Sequence, residues 1–322
     1  MAGSEELRFQ AGDAELAGTL IVPAGPGPWP CVLLLSSWLA RDRDGEWDRV
    51  GHPSWFAPRL ADAPDGVLAR MAAALAARGV ASFRYDKRGC GRSAGDWAAA
   101  DLFTLIDDAR DALGALRGRP EVDMRRTGIV GHGEGAAIAM SVAIGDPAIG
   151  ALTLIGPAAR SLRDVWRRSA AARARIGVDS DHPLIAALDR TGEELIERAT
   201  RHEEAALVRV GDGEVLLSLR GWEQAINTPP LALATMLHRS VSLVHGGADA
   251  WSHPDESRLL AGVLRDEDGA VPRLNVLDGV GHDLVEAGDA VIGRVADDLA
   301  ARLRPRSLPP VLLAIEGQAR SR

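Results

Sequence analysis

The sequence predicts an α/β fold in which a mostly parallel sheet carries helices on both faces. Three features point there. Short apolar runs alternate with helically spaced segments along most of the 322 residues. The central runs are continuous rather than alternating, as expected of strands buried on both faces. One of them passes through a glycine-rich turn straight into a helix, which is how parallel strand–helix units connect.

In chain order, Leu7–Gln10 and Glu15–Val22 read as a hairpin around the turn residues Ala11–Asp13. Cys31–Leu35, after Pro-Gly-Pro-Trp-Pro, is a buried central strand. Residues 67–78 form an Ala-rich helix stopped by Gly79, and Val80–Tyr85 is the next strand. Leu102–Leu116 has helical spacing, and the strand Thr127–Gly131 runs into the helix Glu134–Ala143. Ala151–Ile155, Val241–Val244 and Arg273–Leu277 complete an expected sheet of eight strands, the last two followed by helices. Residues 158–238 break the alternation. They are Arg- and Glu-rich and helical in pattern, with a small hairpin around Gly211–Gly213, and are expected to form a helical cap. The cap would interrupt a core made of 1–157 and 239–306, with 307–322 as a C-terminal tail. Arg41–Asp65, which holds Trp47 and Trp55, is too long for a simple connection, and such loops are usually functional or mobile.

Composition narrows the function. A net charge of −8 with dispersed Arg argues against nucleic acid as the main partner. MAGSEELRFQ has neither the basic nor the apolar region of a signal peptide, and no apolar run has the length of a membrane span. Cys31 and Cys90 make no disulfide framework and lack zinc spacing. The expectation is a cytoplasmic, metal-free protein needing no cofactor. Lys87 is the single lysine, a scarcity that reads as coding bias. The eight Trp, against one Tyr and four Phe, do not.

The turn Gly131-His132-Gly133-Glu134-Gly135 stands where G-x-S-x-G, the nucleophile elbow, belongs. Its central position is Gly133, which has no side chain to attack with. The remaining partners follow in order. Asp249 comes after the strand Val241–Val244, and His282 after Arg273–Leu277. Asp249 is the expected orienting acid and His282 the expected general base.

With these residues the chain resembles the α/β-hydrolase superfamily, nearest its acylaminoacyl-peptidase-like and S33-like serine hydrolases. Tyr85-Asp86-Lys87-Arg88-Gly89-Cys90-Gly91-Arg92-Ser93 is similar to the D-x-R-G-x-G-x-S loop, and Asp42-Arg43-Asp44-Gly45 to the D-R-D of one subgroup. The resemblance implies an oxyanion hole from the backbone N–H groups of Trp38 and Glu134. Where the family has His-Gly-x, this chain has Ser36-Ser37-Trp38. Ser36 and Ser37 are binding candidates, and His132 beside the elbow is a further one.

Two independent departures, at Gly133 and at Ser37, favour natural divergence over a serine hydrolase disabled by an introduced Ser-to-Gly change. A His–Asp dyad without a nucleophile suits non-covalent acid–base chemistry: cyclisation, C–C bond formation or water-mediated ester cleavage. A non-catalytic small-molecule binder on the same fold is the third reading. Trp38, Trp47, Trp55, Trp97, Trp166, Trp222 and Trp251 fall in segments expected near the site. They point to a wide aromatic-walled pocket for an aromatic or polycyclic, polyketide-like small molecule.

Overall fold

The structure is a computed structural model describing residues 2–48, 66–176, 183–211 and 213–304. The strands are β1 (Gly3–Ala11), β2 (Ala14–Val22), β3 (Trp29–Leu35), β4 (Ala81–Tyr85), β5 (Val122–His132) and β6 (Ile149–Ile155), then β7 (Ala205–Val210), β8 (Gly213–Ser218), β9 (Ser240–Gly246) and β10 (Arg273–Leu277). Eight of them form one sheet in the order β1-β2-β4-β3-β5-β6-β9-β10, while β7 and β8 form a separate hairpin. Strand β2 is antiparallel to both neighbours, and every other pairing in the sheet is parallel. Strand β5 starts earlier than its apolar run, because the mostly polar segment Asp123–Arg126 extends it ahead of a register shift at Thr127.

The continuous runs divide between two cores with the period of two that a strand imposes. Leu33, Leu35, Ile129, Leu152 and Leu154 face one cluster; Val32, Leu34, Val130, Ala151 and Ile155 face the other. Helices α1 (Val67–Ala76) and α9 (Asp289–Arg302) cover the second face. On the first lie α2 (Leu102–Leu116), α3 (Glu134–Gly145) and α8 (Asp255–Val263). Burial on both sides is why these strands carry no polar alternation.

Between β6 and β9 come α4 (Leu162–Ile176), α5 (Pro183–Thr200), the β7–β8 hairpin, α6 (Arg220–Asn227) and α7 (Pro230–Ala234). They share an apolar cluster in which Leu188, Ile196, Val208 and Leu217 surround Trp166 and Trp222. Gln224 of α6 ties this layer to the core: its amide N donates to Asp101 Oδ2 (2.8 Å) and its carbonyl accepts from Leu102 N (2.7 Å). Asp101 also caps α2 by accepting from Thr104 N. Trp55, most of the loop that holds it, and the expected tail 307–322 lie outside the described residues. Among the described residues, no helix is long and apolar enough to cross a membrane.

Candidate active site

The carboxyl ends of β3, β5, β9 and β10 converge on one point, since parallel strands present all their C-terminal turns on the same edge of the sheet. At the end of β5, Gly133 has φ 55° and ψ −115°, the sharp turn into α3 that an elbow requires. Gly131 and Gly135 allow it, because a β-carbon on either would run into backbone: Gly135 and Ala136 in the first case, Leu35 and Ser36 in the second. The elbow is therefore fully formed around a residue with no side chain.

At the ends of β9 and β10 the expected acid and base are joined. His282 Nδ1–H donates to Asp249 Oδ2 at 2.7 Å. Asp249 Oδ1 accepts from the backbone N–H groups of Trp251 and Ser252, both at 2.8 Å, which fixes the carboxylate. Burial alone would raise the Asp249 pKa, but the His282 and His245 rings and their hydrogen bonds hold it well below the carboxylate range. Burial likewise opposes a charge on His282, yet the Asp249 carboxylate outweighs it and the imidazole pKa is raised. Gly156 leaves room for this pair, since a β-carbon there would sit 3.0 Å from His282 Nδ1 and 3.2 Å from Asp249 Oδ2.

The other ring nitrogen of His282 is engaged by Ser37. The Ser37 Oγ lies 3.0 Å from His282 Nε2, and with Nδ1 protonated toward Asp249 the hydroxyl is the donor. A β-carbon built on Gly133 would collide with Ser37 Oγ and lie 3.0 Å from His282 Nε2. The hydroxyl that the elbow lacks is thus supplied from the turn after β3. Strands β3 and β5 are hydrogen-bonded neighbours, with Leu35 opposite Gly131, so the two turns are side by side. Local sequence gives no sign of this, because a nucleophile is expected on the elbow and Ser36 and Ser37, off it, read only as binding candidates.

The other singled-out residues separate into groups. His132 is fully buried beneath His282, with ring centroids 4.6 Å apart and its Nε2 donating to the His282 carbonyl at 3.0 Å. Burial first, and then the His282 ring, push its pKa down to about 3, so it is neutral. It holds the base from behind and is not among the residues lining the cavity. Ser36 is buried with its carbonyl toward Gly135, also away from that lining. Glu134 is the first residue of α3, so its N–H has no helical carbonyl partner and is available as a donor.

Trp38, Trp47, Trp97, Trp166, Trp222 and Trp251 all border a cavity of ≈ 190 Å³ that reaches Ser37, Gly133 and His282. Trp38 is the hub, 5.4 Å from Trp222 and 6.0 Å from Trp251 between ring centroids, the latter edge-on. The D-R-D segment props this wall. Asp42 closes its turn by accepting from Asp44 N and Glu46 N, and Arg43 pairs with Asp86 of the D-x-R-G-like loop. Arg41 lies 4.0 Å over the Trp47 ring and reaches Asp283 at 3.2 Å.

Residues 65–207 match the family model described as serine aminopeptidase, S33. The esterase EstD of Thermotoga maritima is 27% identical over 150 residues, 47% of this chain but only 32% of that esterase's length. The solved structure of Est1E from Butyrivibrio proteoclasticus with ferulic acid superposes with a TM-score of 0.64 at 14% identity, covering 92% of this chain and 98% of that one. The α/β hydrolase GrgF from Penicillium sp. sh18 gives 0.63 at 17% identity, covering 94% and 99%. Strand order, turn positions and these likenesses agree on an α/β-hydrolase fold, within which residues 65–207 are similar to the serine aminopeptidase, S33, family.

Proposed function

We propose that the protein is an acyl-transferring serine enzyme, an esterase in its simplest form, whose nucleophile is Ser37 rather than a residue of the elbow. The observation that carries this is the Ser37 hydroxyl, 3.0 Å from His282 Nε2 and in the place an elbow side chain would take. Ser37 Oγ attacks the acyl carbonyl carbon while His282 Nε2 takes its proton, and Asp249 stabilises the imidazolium. The oxyanion is received by the N–H groups of Trp38 and Glu134, one beside the nucleophile and one at the start of α3. Collapse expels the alcohol or thiol, protonated by His282, and leaves an acyl group on Ser37. Water, deprotonated by His282, then releases the acid. The nucleophile has moved to the neighbouring strand end, while the base and both oxyanion donors stay put. The tryptophan walls support an aromatic or polycyclic acyl substrate. Ferulic acid, held by the structurally similar Est1E, is an aromatic acid.

Glycine at 133 inside an aromatic cavity supports a second reading: non-covalent proton transfer by His282 on a polyketide-like substrate, with Ser37 only binding it. Ser37→Ala separates the two. Loss of about 10⁴–10⁶-fold in ester turnover is expected for a nucleophile. Retained turnover in Ser37→Ala together with its loss in His282→Ala selects the non-covalent route. Unchanged ligand binding with no turnover in wild type leaves a binding protein.

A further inference from the structure

Lys87, the only lysine of the chain, is buried beneath the Ser37 turn. Its Nζ donates to the Ser37 carbonyl at 2.6 Å and to Glu134 Oε2 at 2.7 Å, with the Leu39 carbonyl at 3.4 Å. An ammonium has three donors on one centre, and three acceptors surround this one. The other charges of the same loop are committed elsewhere: Asp86 to Arg43, and Arg88 to Asp108. Lys87 alone among them borders the cavity.

Its main acceptor is half of a peptide unit. The Ser37 C=O and the Trp38 N–H belong to one trans peptide, so they point in opposite directions. Fixing the carbonyl on the Lys87 side turns the Trp38 N–H the other way. Leu39, next in the chain, has φ 67°, a left-handed conformation that costs a branched residue about 1–3 kcal/mol and persists only where its surroundings impose it. The second anchor, Glu134, carries the other oxyanion donor on its own backbone. One ammonium therefore touches the peptide unit that carries the first of these N–H groups and the side chain of the residue that carries the second.

We propose that Lys87 is a positioning residue that sets the oxyanion hole by holding the Ser37–Trp38 peptide against Glu134 at the start of α3. This rests on Ser37 being the nucleophile. It makes Lys87 specific for the transition state: substrate binding against the tryptophan wall does not depend on it, whereas stabilisation of the oxyanion does. Arginine does not substitute, since a planar fork cannot meet three acceptors clustered about one point.

The test measures the rate at which a fluorophosphonate labels the protein, with the labelled peptide identified by mass spectrometry, alongside p-nitrophenyl ester kinetics. Labelling, in which Ser37 Oγ displaces fluoride, passes through a five-coordinate phosphorus whose phosphoryl oxygen gains negative charge, and so reads the hole directly. Lys87→Met keeps the length and removes the donors. Labelling rate and kcat are expected to fall by about 10²–10³-fold with KM unchanged, the loss typical of one oxyanion donor. Should this variant not fold, Glu134→Gln keeps an acceptor without its charge, and a fall of about tenfold in the same two quantities is expected. Wild-type labelling at Ser37 with an unchanged rate in the folded variants overturns the role of Lys87 and leaves the nucleophile standing. Absence of wild-type label on Ser37 overturns both.

Discussion

Putting serine back into the elbow should damage this protein rather than restore it. In Gly133→Ser the new β-carbon would occupy the space of Ser37 Oγ, 3.0 Å from both Ser37 Cβ and His282 Nε2. The two side chains cannot share that space, and the Ser37 turn has little freedom to withdraw because Lys87 and Leu39 pin it from behind. Overpacking of this kind costs about 1–3 kcal/mol. A non-glycine residue at φ 55° and ψ −115° adds about 1–3 kcal/mol more. Together these correspond to a drop in melting temperature of about 3–9 °C for a chain of this size. Ester turnover should fall as well, because Ser37 is pushed out of line with His282. The double change Ser37→Gly with Gly133→Ser removes the collision and leaves one hydroxyl beside Nε2. It should recover much of the melting temperature, hydrolyse p-nitrophenyl esters better than either single variant, and take fluorophosphonate label at position 133. Thermal unfolding, ester kinetics and peptide mapping read all three. If Gly133→Ser alone is as stable as wild type and more active, Ser37 does not occupy the nucleophile's place.

Three other outcomes follow from the site. Because His282 must be neutral to accept a proton and Asp249 raises its pKa, kcat/KM should rise with pH along a limb lying above the ordinary imidazole value. Asp249→Asn should move that limb to lower pH and reduce kcat by about 10⁴-fold, as a pH–rate profile would reveal. Trp38→Ala opens the wall at its hub, and loss of the ring contacts with Trp222 and Trp251 should raise KM for an aryl ester about tenfold, more than for an acetyl ester.

Much of the frame is legible in the chain because its signals are local. The apolar runs become strands, and Asp249 and His282 follow Val241–Val244 and Arg273–Leu277 as end-of-strand turns, so their place in the chain puts this hydrogen-bonded pair at the carboxyl edge of the sheet. The tryptophans are partly legible by the same reasoning, since each of the six that line the cavity sits in a segment next to a strand end or in the cap. Their mutual contacts are not, because Trp38, Trp222 and Trp251 are far apart in the chain and meet only when the cap settles on the core.

The residue at the centre of the proposed chemistry is the least legible. A missing elbow serine is visible as Gly133, and it invites a mechanism without a nucleophile. The replacement is decided by sheet adjacency: β3 pairs with β5, Leu35 stands opposite Gly131, and a side chain leaving one turn enters the space vacated in the other. Lys87 passes as one more charge in a glycine-rich loop until its ammonium is found under the Ser37 carbonyl. The sequence by itself determined the strands, their helices and the strand-end places of Asp249 and His282, because periodicity and turn chemistry act over a few residues. Only the tertiary structure decided which hydroxyl faces His282, because that depends on two turns joined by hydrogen bonds between strands nearly a hundred residues apart.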